Sequence, residues 1–229
     1  MKKKFEPILP ENDCKEQAIS SEKKVEECDL TPEEKKAIKR KKIIRFITRV
    51  GIFSAASAIL YLLPFPPFKF SIFPAVSFLE VNFSEVPAMI AGFAYGPLAG
   101  FLVILIRFLI KIPFSATGAI GEFADLLFST ALVLSSAIIY QQARTLKNAF
   151  IAIIMGGLAH LTVAIVANFY FIIDWYNIFY GGHLLNENFT KEFYISWNIP
   201  FNVIKNVIVS VVTLLTYKRV HKLVTKITN

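Results

Sequence analysis

The stretch AFIAIIMGGLAHLTVAIVANFYFIIDW, Ala149 to Trp175, decides the fold class. It contains no Lys or Arg, its one acid is Asp174 near the end, and it is longer than the about 20 apolar residues that carry a helix across a bilayer. Similar runs recur on both sides. Counting them gives spans at Ile43 to Leu63, Glu85 to Tyr95, Pro97 to Ile112, Ala119 to Tyr140, Ala149 to Trp175 and Tyr194 to Tyr217. The expected fold is an all-α membrane protein of six transmembrane helices. Pro64-Phe65-Pro66-Pro67 ends the first span, because proline lacks the amide donor and clashes with the preceding turn. Gly96-Pro97 joins two short spans through a tight connection.

Composition agrees. The 229 residues are 55% hydrophobic with 22 Phe, and the mean hydropathy is +0.53, too apolar for the surface of an ordinary soluble domain. Two domains are expected, a charged leader over 1–40 and a six-helix transmembrane domain over 41–229. The leader mixes charges of both signs and lacks an apolar core, so it reads as largely disordered and cytoplasmic. Thr31-Pro32-Glu33-Glu34 opens a helix within it, with Thr31 as N-cap and Glu34 completing a capping box. Cys14 and Cys28 have neither the spacing nor the partners of a metal site or a disulfide framework, and no metal is expected.

The net charge of +8 does not point to nucleic acid. Of the 25 Lys and Arg, 14 precede residue 50, interleaved with 10 acids, and the rest flank apolar runs. The run from Lys35 to Arg49 suits anionic headgroups. With the N-terminus inside, the inner face holds Arg144, Lys147, Lys218, Arg219, Lys222 and Lys226, against Lys69, Lys111 and Lys191 outside. Both termini are therefore expected in the cytoplasm. Trp175, Tyr176, Tyr180, Tyr194 and Trp197 then fall at the outer interface.

Polar groups inside spans are expensive and so mark function or pairing. Lys205 lies mid-span with Asn202 three residues earlier on the same face, and Asn168 lies in the preceding span. They read either as contacts for a polar, ring-containing ligand or as structural groups. In the latter case the Asn residues bridge helices, and Lys205 pairs with Glu122 or Asp125. Glu85, Glu122 and Asp125 suit helix N-termini. Arg107 and Lys111 read as snorkelling to headgroups, and Asp174 as wet. His160 has no second metal ligand at helical spacing. Gly51 with Ala55, and Ser54 with Ala58, are small pairs that fit either a partner subunit or internal packing. No phosphate-binding G-x-x-x-x-G-K-[ST] loop occurs, so the chain is not expected to hydrolyse ATP itself, and any ATP-driven step would need another subunit; no enzyme motif is found.

Four ordered blocks, FLEVNFSEVPAMIAGFAYGPLAG (Phe78 to Gly100), GAIGEFADLL (Gly118 to Leu127), ANFYFIIDWY (Ala167 to Tyr176) and IPFNVIKN (Ile199 to Asn206), resemble the substrate-binding S components of energy-coupling-factor (ECF) vitamin importers, and most of all the riboflavin-specific S component. The resemblance spans roughly 43–222. It implies a riboflavin-binding subunit that is not an enzyme and carries no cofactor. Its expected partners are a coupling transmembrane subunit and two ATP-binding-cassette ATPases, which alone use ATP. Asn168, Asn202 and Lys205 are the implied ligand contacts, with the loop of Phe78, Leu79, Glu80 and Ser84 closing over the ring system. Gly51, Ser54, Ala55 and Ala58 are the implied docking face. Asn82, Asp125 and Asp174 depart from the residues usual in the family. An S component for thiamin, folate or a queuosine precursor is the alternative, and a membrane protein without transport function is more distant.

Overall fold

The computed structural model describes residues 31–63, 69–72, 80–115, 117–179, 181 and 190–228. The chain divides into two units, Met1–Ile47 and Thr48–Asn229. In the first, helix α1 (Pro32–Leu62) begins at the expected capping box. The Thr31 backbone N–H and hydroxyl both donate to Glu34 Oε2 at 2.8 Å. The residues that follow, through Ile47, are almost all exposed.

In the second unit, α1 leads to a two-stranded antiparallel ribbon, β1 (Lys69–Ser71) and β2 (Glu80–Asn82), with Phe70 opposite Val81. The helices α2 (Glu85–Tyr95) and α3 (Pro97–Lys111) follow, α3 ending in a 3-10 turn, Ile112–Phe114. Gly96 stands between them at φ +102°, a backbone state that favours glycine, and Pro97 starts α3 where its missing N–H has no helical partner. Then come α4 (Ile120–Gln142) and α5 (Leu146–Ala167), a π-helical segment (Asn168–Ile172), α6 (Ile173–Phe179) and α7 (Lys191–Thr228), which carries Pro200 inside it.

Among the described residues, five helical stretches are long and apolar enough to cross a membrane: Pro32–Leu62, Pro97–Phe114, Ile120–Gln142, Leu146–Phe179 and Ile195–Thr216. The expected second span, α2, is a different object. Its 11 residues rise about 16 Å against a hydrocarbon core of about 30 Å, and Glu85 through Phe93 are buried on every side. It is an interior helix packed against α3, α4 and α7. The ribbon adds a small β element to an otherwise helical fold.

Burial runs opposite to that of a water-soluble protein. Ile52, Ile59, Phe150, Ile151, Val207 and Leu215 are exposed, while Glu85, Arg107, His160, Asn168, Asn202 and Lys205 are buried. Such a surface suits lipid, and the interior polar groups must then satisfy one another. Close packing helps. A Cβ on Gly156 of α5 would collide with the Ser136 side chain of α4 and lie 2.7 Å from the Leu132 carbonyl. Only glycine lets these two helices meet there.

The small residues of α1 do not form one face. Gly51 and Ala55 are exposed, whereas Ser54 and Ala58 are buried with Ser57 and Tyr61 on the inward side. Arg107 does not snorkel: it is 1% exposed. Tyr176, expected at the outer interface, is buried beneath α4, where a Cβ on Gly121 would fall 2.6 Å from its hydroxyl.

Candidate functional site

Helix α7 presents Asn198, Asn202 and Lys205 at spacings of four and three, which align them on one face. All three are buried and line a cavity of about 190 Å³. Its other walls come from Asn168 and Ile172 of the π segment, Tyr176 of α6, Glu122, Asp125 and Phe128 of α4, Tyr61 of α1, Lys111 and Phe114 at the end of α3, and Glu80 and Asn82 of β2. The π segment begins at Asn168, whose Nδ2 donates to the Ala164 carbonyl at 2.7 Å. Short π segments commonly mark functional positions in helices.

Charge at the cavity wall is arranged as a closed network. Lys205 Nζ lies 2.7 Å from Glu85 Oε1 and 3.3 Å from Asp125 Oδ1. Asp125 Oδ2 accepts from Arg107 Nη2 at 2.5 Å. Arg107 also donates to Ser84 Oγ at 2.6 Å and to Ser129 Oγ at 3.0 Å, and Ser129 Oγ donates to Glu85 Oε1 at 2.9 Å. Two cations thus meet two carboxylates, as buried charges require. The Arg107 guanidinium lies 5.0 Å from the Tyr61 ring centre, within cation–π range.

Beside this network stands a neutral cluster. Asn202 Nδ2 donates to the Asn198 carbonyl at 2.9 Å and to Asn198 Oδ1 at 3.0 Å, and its Oδ1 is 2.9 Å from His160 Nε2. Asn168 Nδ2 reaches Asn198 Oδ1 at 3.5 Å. At the turn before α4, Glu122 Oε2 accepts from Ser115 at 2.6 Å and Thr117 at 3.2 Å. Ala119 adopts φ 66° there, a strained conformation for a residue with a Cβ and common near binding sites.

The structure brings Asn168, Asn202, Lys205 and Glu80 to one cavity. Ser84 lies behind the cavity wall rather than on it: its hydroxyl donates to Asn82 Oδ1 and accepts from Arg107, and its carbonyl accepts from Ser57 at 2.5 Å. Phe78 and Leu79 lie outside the described residues. Glu85 is not a free helix-start charge but the nearer partner of Lys205, while Glu122 is not a partner of Lys205. Sequence reasoning passed over Asn198, although it stands one turn before Asn202 on the same face. Among the described residues, no group of three His, Cys, Asp or Glu side chains is placed to hold a metal ion.

A polar cavity beside a charge-balanced buried network, walled by helices with apolar outer faces, defines a multi-pass membrane protein built to hold a small molecule. The chain belongs to the family described as ECF transporter, substrate-specific component, which matches residues 45–217. It is 29% identical over 179 residues to the riboflavin transporter RibU of Staphylococcus aureus (strain TCH60), covering 78% of this chain and 93% of the relative. It is 28% identical over 162 residues to the riboflavin transporter FmnP of Bacillus subtilis (strain 168), covering 69% and 82%. A solved structure described as that of the S component of a bacterial ECF transporter superposes with a TM-score of 0.66 at 28% identity, covering 78% of this chain and 96% of that one. The family supplies the substrate-binding part of a transporter and is not an enzyme.

Proposed function

We propose that this chain captures riboflavin outside the cell for uptake by an ECF transporter. The observation that carries the reading is the convergence of Asn168, Asn202 and Lys205, from two separate helical segments, on one cavity with aromatic walls at Tyr61, Phe128 and Tyr176. Riboflavin is neutral, with a flat tricycle edged by acceptors and one N–H, and a polyhydroxylated chain. Carboxamides and an ammonium complement its edges, and aromatic and aliphatic side chains complement its faces. The names of the relatives in S. aureus and B. subtilis support the same ligand. The cavity is smaller than the about 300–1,000 Å³ usual for ligands of this size. Binding therefore widens the cavity, and the proposal keeps Phe78 and Leu79 among the ligand contacts.

The proposal extends to assembly. A coupling membrane subunit and two ATPase subunits supply the energy, and the exposed Gly51–Ala55 side of α1 meets the coupling subunit. Both termini lie in the cytoplasm in this reading, which the distribution of Lys and Arg supports. The test is to purify the full chain from cells grown with riboflavin, denature it, and examine the released small molecule by absorbance and mass spectrometry. Release of riboflavin is expected. Release of a different vitamin at comparable stoichiometry overturns the ligand assignment.

A further inference from the structure

His160 touches neither the bilayer nor the cavity, yet its ring is fully buried and bonded to a cavity residue. The Asn202 carboxamide can stand only one way round. Its nitrogen faces two oxygens of Asn198, one of them a backbone carbonyl that can only accept, so both Nδ2 hydrogens are committed. The atom turned toward His160 is therefore the oxygen, and His160 Nε2 must carry the proton that bridges the 2.9 Å gap. His160 Nδ1 has no partner among the described residues, which fits an unprotonated nitrogen. The ring is held in place by Phe128, with centres 5.8 Å apart.

What Asn202 has left for a ligand is one lone pair on Oδ1, so it offers an acceptor. Lys205, one turn later on the same face, gives one N–H each to Glu85 and Asp125 and keeps a third, so it offers a donor. An acceptor beside a donor complements a ring N–H next to a ring carbonyl. Riboflavin carries such an edge at N3–H, between its two carbonyls.

We infer that His160 is a positioning residue: by donating to Asn202 Oδ1 it holds the carboxamide with its acceptor available, and so makes the cavity select ligands with an N–H beside a carbonyl. The inference rests on the riboflavin reading above. Without the His160 donor, the bonds from Nδ2 to Asn198 still set which end is which, but Oδ1 loses its own anchor and shifts off the line to the ligand, and the preference for an N–H weakens.

The test compares riboflavin with 3-methylriboflavin, in which the N3–H is replaced by N–CH3, by titration of the purified full-length protein. The wild type is expected to prefer riboflavin by at least about tenfold, since the methylated ligand leaves a buried acceptor unpaired. In His160→Leu the preference is expected to fall within about threefold. In His160→Gln, whose amide N–H reaches the same acceptor, it returns to about tenfold. A folded Leu variant that keeps the full preference, a Gln variant that behaves like Leu, or a wild type that binds both ligands equally overturns this inference while leaving riboflavin capture intact. A wild type that binds neither flavin overturns the riboflavin reading and this inference with it. If the Leu variant does not fold, ¹⁵N spectra of histidine-labelled wild type decide the question, with the His160 signal assigned from the Gln variant. The expected state is the Nε2–H tautomer, and an Nδ1–H tautomer contradicts the inference.

Discussion

Around Lys205 the cavity wall is ionic, and one turn earlier on the same helix, around Asn202, it is neutral. The ionic side ties four helices together: Glu85 comes from α2, Arg107 from α3, Asp125 from α4 and Lys205 from α7. The neutral side joins the α5 region to α7 through His160, Asn168, Asn198 and Asn202. Each carboxamide there uses much of its capacity on its neighbours. The contrast separates two tasks. Buried charges are held at fixed stoichiometry and govern whether the helices pack, whereas carboxamides remain neutral if disturbed and govern which ligand edge is read.

The largest effect should come from unbalancing the ionic side. Glu85→Ala removes the 2.7 Å partner of Lys205 and is expected to lower stability by about 3–5 kcal/mol, measured as a fall in melting temperature of the detergent-solubilised protein. An unchanged melting temperature would break the distinction between the two walls. Removing the pair together sharpens it. In Glu85→Met/Lys205→Met, Arg107 and Asp125 still balance each other, so most of the lost stability is expected to return. Riboflavin affinity should nevertheless stay roughly 10- to 100-fold down, for want of a charge-assisted donor.

On the neutral side the order of effects reverses. Asn202→Leu is expected to weaken riboflavin binding about tenfold while shifting the melting temperature less than Glu85→Ala does. Gly156→Ala, one turn before His160 on the buried face of α5, pushes α5 off α4. It should cost about 1–3 kcal/mol of stability, through overpacking, read as a fall in melting temperature smaller than that of Glu85→Ala. The smallest effect on the isolated protein belongs to Gly51→Leu/Ala55→Leu, on the exposed side of α1. Stability and binding should both persist there, while uptake in cells containing the transporter partners is lost. Uptake at wild-type rates would remove this face from the proposed docking surface.

Much of this was legible in the sequence, for identifiable reasons. The bounds Glu85 and Tyr95 of α2 follow from Gly96-Pro97 on one side and the loop on the other, and the structure gives the same bounds. Asn168, Asn202 and Lys205 stood out because polar groups are costly within apolar helices, and they do share a cavity. Pairing was legible only in part: Asp125 was one of the two expected partners of Lys205 and does pair with it, whereas Glu85 was not expected to. Glu85 and Lys205 are far apart in sequence, and nothing local distinguishes a helix-start carboxylate from one half of a buried ion pair. Arg107 likewise looks like a snorkelling residue until α4 supplies Asp125 and Ser129. The ribbon was missed because strands of three residues carry too little periodicity to register. The two sides of α1 were not separable, since small residues occur on both.

Titration of the ligand-free purified protein with riboflavin, followed by quenching of flavin fluorescence, addresses the central claim most directly. Saturable one-to-one binding is expected, weakened in Asn202→Leu and in the Glu85→Met/Lys205→Met pair alike. A folded wild-type protein that shows no saturable quenching, or variants that bind as the wild type does, would contradict the assignment of this cavity to riboflavin.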